Sequence, residues 1–316
     1  MPEFQEGTPV RPHSELPMAP TRSGALSASA CYLLWGTVPI YWKQLSGIDP
    51  LELIAHRHLW SLALLLVFLA AMKENRETTL TTLSSVGSLW KLGLSGLLLT
   101  TNWWVYVQGV NSGHIIETSL GYFLVPLVNV LAGRFLLKED LKRIQWIAVG
   151  LAAVGVSLLL WQAGRIPWTS LAIAGSWSGY SLMRKRSLLG AIPGLAIETL
   201  LLAPLALGLL LWRHHSGAGA FTHINAKVDL LILCSGAVTA IPLLLFAHAA
   251  RRIRLSTLGI LQYIAPTLQL FIGIWLYHEQ LIQSRLISFA FIWAALALYT
   301  GDALLTQGRL PKKQLS

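Results

Sequence analysis

Arg57 stands inside an apolar run that extends from Leu51 to Met72. A charge at membrane depth is costly unless it is paired or hydrated, which makes such a residue a functional candidate. Six residues into a helix, it would lie roughly 9 Å from the helix start, at about 1.5 Å per residue. Two readings stand side by side. Arg57 snorkels to bulk water, or it lines the outer part of a cavity and attracts an anionic or carboxylate-bearing solute. Glu52 and His56 stack at i, i+4 on one helix face, whereas Arg57 lies on a different face, which argues against an intrahelical Glu52–Arg57 bridge. Glu117, near the outer end of a later run, is a proton-titrating carboxylate, a counter-charge to Arg57 or an interfacial residue in water. Glu198 falls early in another run, near its inner side.

A second set is polar or aromatic and falls near the middle of apolar runs: Asn102, Trp103, Tyr122, Asn129, Thr239, His248, Gln262, Tyr263 and Thr267. Buried amides and hydroxyls need partners, so each of these either joins helices or lines a pathway. Pro126 and Pro266 each remove a donor and free a carbonyl within a run. They are packing kinks, or they shape a midplane site and flex during alternating access. Other signals are structural. Ala148/Ala152 and Ala290/Ala294 are small-residue seams. Trp42, Trp90, Trp161, Trp168 and Trp212 fall near run ends as interfacial anchors. His214-His215 read as loop residues, and His278-Glu279 lacks the second His of a zinc-protease motif. Cys31 and Cys234 form no ligand or disulfide pattern. No P-loop or dinucleotide fingerprint is present, so neither cofactor, metal nor ATP-driven chemistry is expected.

These residues need elements that hold them in an apolar medium. The chain of 316 residues is 54% hydrophobic and 12% charged, with 13 Trp, against about 25% charged in soluble domains. Its surface cannot be covered with solvated groups, which places it in a bilayer. The net charge of +10 lies in short clusters between apolar runs, so it reads as a topology signal rather than a nucleic-acid surface. At about 20 residues per crossing, ten helices are predicted: 24–43, 51–72, 88–110, 115–137, 144–162, 168–183, 194–212, 228–250, 256–277 and 285–306. The runs are continuous rather than alternating, which excludes a membrane β-barrel. Residues 1–23 are polar and Pro-rich and read as a disordered tail; 307–316 form a second tail.

Two stretches of the chain overlay without a gap. Gly96 falls on Gly236, Pro126 on Pro266, Gly133 on Gly273 and Glu139 on Glu279, all 140 positions apart. Duplicated helical halves are the common plan of secondary transporters. With the N-terminus inside, eighteen Lys and Arg fall on the inner side and five on the outer, namely Lys43, Arg165, Arg213, Lys227 and Arg285. The positive-inside rule then puts both termini in the cytoplasm. Five spans per half is odd, so the second half starts on the opposite side and the repeat is inverted. Pro126 and Pro266 are expected to meet near the midplane, with Glu139 and Glu279 on opposite faces.

Several motifs also resemble a known family. They include Asn102-Trp103-Trp104, Glu117-Thr118-Ser119-Leu120-Gly121-Tyr122-Phe123 with Pro126-Leu127-Val128-Asn129, and Arg254-Leu255-Ser256-Thr257-Leu258-Gly259 with Gln262-Tyr263 and Pro266-Thr267. Glu52 with His56-Arg57 and Trp60-Ser61, Val238-Thr239 with Pro242-Leu243-Leu244, and Phe289-Ala290-Phe291-Ile292-Trp293 belong with them. Together, over about 24–306, they resemble the RarD branch of the EamA transporters, in the drug/metabolite transporter superfamily. The resemblance implies an all-α polytopic membrane protein of a bacterial inner membrane. It would have ten transmembrane helices as two inverted five-helix EamA repeats, 24–162 and 163–306, around a central cavity. It associates the branch with chloramphenicol sensitivity and leaves the physiological solute open.

The function expected is a permease that moves a small polar or amphipathic metabolite or drug-like solute by alternating access. Its partners would be that solute and the lipid bilayer, with no nucleic acid and with a homodimer left open. The pathway is expected between helices 3, 4, 8 and 9, with Arg57, His56 and Glu117 contributing charge. A membrane-embedded enzyme is one alternative, and a non-transporting sensor or scaffold is another. The inner loops carry few carboxylates beyond Glu74, Glu77, Glu139 and Asp140, which disfavours the enzyme.

Overall fold

Local signals start several helices where the sequence expects them. In a computed structural model that describes residues 22–111, 115–163, 168–278 and 283–307, Asp49 caps the second helix. Its Oδ1 accepts from the backbone of Leu51 at 2.9 Å and Glu52 at 3.1 Å, with Pro50 in the first position, where its missing N–H costs nothing. Asn225 caps another helix by accepting from Val228 at 3.0 Å. Side chains of 110–111, 115–117, 119, 162–163, 283–285 and 303–307 lie outside the described set. Glu117, Glu279 and both tails are therefore not placed.

The described residues form helices and turns without a strand. In chain order the helices are α1 Arg22–Lys43, α2 Pro50–Ala71, α3 Lys73–Leu83, α4 Val86–Asn111, α5 Ile115–Leu136, α6 Arg143–Ala163, α7 Trp168–Arg186, α8 Ala191–His215, α9 Ala226–Ala250, α10 Leu255–Gln262, α11 Ile264–Tyr277 and α12 Gln283–Gln307. Five spans are long and apolar enough to cross a membrane: Pro50–Ala71, Arg143–Trp161, Ala191–His215, Ala226–Ala250 and Leu255–Tyr277. Large apolar side chains also face outward, among them Val67 at 62%, Ile147 at 58%, Leu205 at 73% and Trp275 at 74% exposure. Contiguous apolar surface on this scale suits lipid and not water. The molecule is a multi-pass membrane protein.

Two elements differ from expectation. The predicted helix 256–277 is broken at Tyr263 into α10 and α11. Pro266 is not the point of rupture; it lies in the first turn of α11, where it removes no intrahelical bond. Pro126, by contrast, is held inside a continuous α5. The second difference is α3, a polar helix at 73–83 that apolar periodicity does not reveal. Its threonines bond back to carbonyls four residues earlier: Thr78 to Glu74 at 2.9 Å and Thr79 to Asn75 at 2.7 Å, a local habit of hydroxyls in helices.

The start of α4 at 86 and that of α9 at 226 lie 140 residues apart. Packing is reciprocal as well. α1 lies on α9 as α7 lies on α4, α2 meets α9 as α8 meets α4, and α2 with α8, α5 with α10 and α6 with α12 pack as mates. Tyr263 donates to the carbonyl of Phe123, its own register mate, at 3.3 Å. Glycines allow the tightest approaches. A Cβ on Gly236 would come within 2.3 Å of the Trp60 backbone, and one on Gly96 within 3.1 Å of the Glu198 carbonyl. The apolar interior is a large cluster on α1, α5, α7, α9 and α10 and a second on α5, α6, α10 and α12.

Candidate functional site

Arg57 is held between two indole rings. Its guanidinium carbon lies 4.6 Å from the Trp42 ring centroid and 4.6 Å from that of Trp103. The cation thereby lies over two π-systems. Its Nε donates to Thr239 Oγ1 at 2.9 Å, so α1, α2, α4 and α9 each contribute to one clasp. No carboxylate among the described residues pairs with it. With Nε engaged, the terminal fork of Nη1 and Nη2 makes no hydrogen bond among the described residues. A fork of this shape matches a carboxylate or phosphate in two parallel bonds.

Trp103 and Thr239 also line a narrow cavity between α2, α4, α8 and α9, together with His58, Ser61, Glu198 and Thr199. In this conformation it has room for on the order of one water molecule. His58 Nε2 lies 2.9 Å from the Thr199 carbonyl. His58 and Glu198 are register mates, 140 residues apart.

Tyr122 extends the polar surface next to the clasp. Its hydroxyl donates to Asn102 Oδ1 at 3.3 Å and its ring stands 5.7 Å from Tyr106. Asn102 in turn donates to the Ile173 carbonyl at 2.9 Å and to Ser176 at 3.2 Å, which pins α4 to α7. Asn129 donates to Gln262 Oε1 at 3.3 Å and Trp293 to Thr267 Oγ1 at 3.1 Å. With Tyr263 on Phe123, these four residues are joints between helices and do not line the cavity. The structure thus brings Arg57, Trp103 and Thr239 together, sets Tyr122 and Asn102 beside them, and places Asn129, Gln262, Tyr263 and Thr267 elsewhere. His248 sits with Arg252, whose Nη1 is 3.0 Å from His248 Nδ1. Pro126 lies against Gly259, whose Cβ would meet the Pro126 carbonyl at 2.8 Å.

His56 belongs to a separate cluster at one end of the bundle. It lies 3.7 Å from Glu52 and packs on Phe221. Glu52 Oε1 accepts from the Ala220 backbone at 2.6 Å, and its Oε2 is 3.2 Å from Arg213 Nε, which also reaches Asp49 through Nη1 at 3.2 Å. This cluster ties the 43–50 connection to the 216–225 connection. At the basic end, Glu139 accepts from Leu255 N at 2.6 Å, Ser256 N at 3.0 Å and Ser256 Oγ at 2.7 Å. A carboxylate there satisfies the open N–H groups of α10 and its positive dipole end. Gly133 leaves the space, since its Cβ would stand 2.6 Å from Glu139 Oε2.

Sequence reasoning missed Trp42, His58 and the Arg184–Glu198 pair. Trp42 reads as an anchor at the membrane interface, and Trp90, Trp161, Trp168 and Trp212 are indeed more than half exposed. Trp42 instead is half-buried against Arg57. Only the fold brings it there, from another helix. Arg184 reads as one of a basic cluster ending a span, yet it is buried, with Nη1 3.3 Å from Glu198 Oε1.

Comparison with known proteins now adds a family. The model of the EamA-like transporter family matches residues 22–161. An uncharacterized transporter of Pseudomonas aeruginosa is 43% identical over 92% of this chain and 97% of its own length. The protein RarD of Escherichia coli is 38% identical over 92% and 98%. A chloramphenicol-sensitive protein RarD of Pseudomonas aeruginosa is 30% identical over 92% and 96%. One solved crystal structure shares the fold with a TM-score of 0.68 at 22% identity, over 89% of this chain and 99% of that one. Apolar helices, shared motifs and relatives aligned over most of their length lead to one conclusion: the chain is a RarD-type member of the EamA family, a membrane transporter of the drug/metabolite transporter superfamily.

Proposed function

We propose that this protein is a secondary transporter, not an enzyme, that carries a small organic anion across the bacterial inner membrane by alternating access. The observation that carries the proposal is the Arg57 clasp. Its cation lies over the rings of Trp42 and Trp103, has its Nε on Thr239, and has no carboxylate partner among the described residues. A charge held this way at membrane depth binds a counter-charge that arrives and leaves. The cavity shared by Trp103 and Thr239 is then the inner continuation of the pathway, between α2, α4, α8 and α9. Asn102 and Tyr122 supply polar groups at its side.

The mechanism follows from the duplicated layout. Two inverted five-helix repeats, 24–162 and 163–306, would face each other across the bilayer. The recurrence of packing partners between helices in the 140-residue register supports this. Both termini then lie in the cytoplasm, the Glu52–Arg213 cluster closes the outer loops and Glu139 with α10 closes the inner ones. Helices rock about the midplane joints, where α2 meets α8 and α5 meets α10.

The test begins with untargeted metabolite profiling of cells lacking and overproducing the protein, followed by uptake of the candidate solutes into vesicles. Organic anions are expected to change in abundance. Arg57→Gln should abolish movement and Arg57→Lys should leave a small fraction of it, at unchanged protein level. An uncharged solute carried equally by wild type and Arg57→Gln would sink the anion reading.

A further inference from the structure

Glu198 lies in the interior with 1% exposure, as does Arg184. One carboxylate oxygen, Oε1, is 3.3 Å from Arg184 Nη1. The other, Oε2, has no hydrogen-bond partner among the described residues. The hydroxyls of Ser95 and Tyr180 stand beside the carboxylate, close enough to act on its charge, and Arg184 Nε has no partner among the described residues. A carboxylate oxygen and a guanidinium nitrogen left open in one buried place are unusual, because such atoms are nearly always paired. Glu198 is also the one carboxylate that lines the cavity shared with Trp103 and Thr239.

We propose that Glu198 is a proton-binding site that couples proton movement to the opening of the basic end of the molecule. A proton from the aqueous phase adds to Oε2 and gives a neutral carboxylic acid; no other bond forms or breaks. The new O–H then donates to the Tyr180 or Ser95 oxygen, each of which can accept as well as donate. Loss of the negative charge removes the partner of Arg184. Its one remaining hydrogen bond among the described residues is from Nη2 to the Gly190 carbonyl, at 3.4 Å. A buried guanidinium without a counter-charge is strongly disfavoured and is drawn towards water. The segment it would pull is the connection between α7 and α8. That segment is tied to the basic end by Arg251, which donates to the Leu188 carbonyl at 3.1 Å.

The groups around Glu198 agree with this role. From α7 come Arg184 and Tyr180, from α4 Ser95, and from α2 His58, held on Thr199. Arg57 lies beyond Trp103 and Thr239. The charged residues of α3, Lys73, Glu74, Arg76 and Glu77, are exposed, and His248 of α9 is engaged with Arg252. Arg184 is therefore the charge that acts on Glu198 directly. Gly194 makes its position feasible, since a Cβ there would stand 2.1 Å from Arg184 Nη1.

The coupling purpose rests on the transporter reading, but not on Arg57 as an anion site, and the test needs no solute. The full chain in lipid bilayers is titrated from neutral to acid pH by infrared difference spectroscopy, in parallel with hydrogen exchange. A carboxylic C=O band should grow on acidification in wild type and in Glu52→Gln, vanish in Glu198→Gln and shift in Glu198→Asp. Peptides covering 186–194 and 251–256 should exchange several-fold faster in acid than the same peptides of Glu198→Gln at the same pH. Arg57→Gln should retain both responses, so failure of the anion site leaves this result intact. The proposal is overturned if wild type shows no titrating acid band, if Glu198→Gln keeps it, or if Glu198→Asp leaves it unshifted. Equal exchange in wild type and Glu198→Gln overturns the coupling.

Discussion

At the scale of residues, the site depends on a cation set over two indole rings, whose fork makes no hydrogen bond among the described residues. A desolvated cation–π contact contributes about 2 kcal/mol, so Trp42→Leu and Trp103→Leu should each weaken solute binding by roughly tenfold or more. Trp42→Phe should lose less, because a smaller ring still covers the guanidinium. Solute affinity by equilibrium binding to purified protein checks this, with Arg57→Gln as the zero. Arg57 was visible in the chain because a charge in an apolar run is rare. Its clasp was not, since Trp42 and Thr239 are far from it in sequence and meet it only after α1 and α9 pack against α2. His56, adjacent to Arg57 in the chain, serves a different cluster because one step along a helix turns the side chain by about a quarter turn or more. Spacing thus separated Glu52 and His56 from Arg57 correctly, but it could not name their partners, Arg213 and Phe221.

At the scale of elements, apolar length located the apolar helices to within a few residues, and five spans among the described residues are long and apolar enough to cross a membrane. It could not find α3, whose content is Thr, Lys and Glu, nor the break at Tyr263, because Pro266 draws attention three residues too late. Two element-level outcomes follow. Gly236→Ala places a methyl against the Trp60 backbone, which cannot withdraw as a flexible side chain does. A loss of about 1–3 kcal/mol is expected from such overpacking, read as a lowered midpoint of thermal unfolding in detergent. Gly96→Ala, facing the Glu198 carbonyl at 3.1 Å, should be milder. Glu139→Ala removes the acceptor at the start of α10, where losing a capping side chain costs typically about 1 kcal/mol. Glu139→Gln should recover part of that, because an amide oxygen still accepts while the charge that answers the helix dipole is gone.

For the molecule as a whole, the 140-residue register was legible early because glycines and prolines mark it at a constant offset, and helix packing partners recur with it. Which cavity the fold makes was less legible. Polar residues at matched depths pointed to helices 3, 4, 8 and 9, yet Asn129, Gln262, Tyr263 and Thr267 form joints, and the cavity also uses α2 and α8. The proposed inverted layout makes a topological prediction. Single cysteines replacing the exposed Asp140 and His278, in a cysteine-free background, should react with a membrane-impermeant thiol reagent from opposite sides, Asp140 from the cytoplasm. Labelling of both from one side would refute the odd number of spans per half. The break at Tyr263 has a wider meaning in that frame. α5 is the unbroken twin of a broken helix, and the two touch where Tyr263 reaches Phe123. One chain therefore displays an interrupted and a continuous version of the same part simultaneously. If the twins exchanged these shapes in the inverted layout proposed above, a half-turn about an axis in the membrane plane would relate the new molecule to the old, with the doorway on the other side.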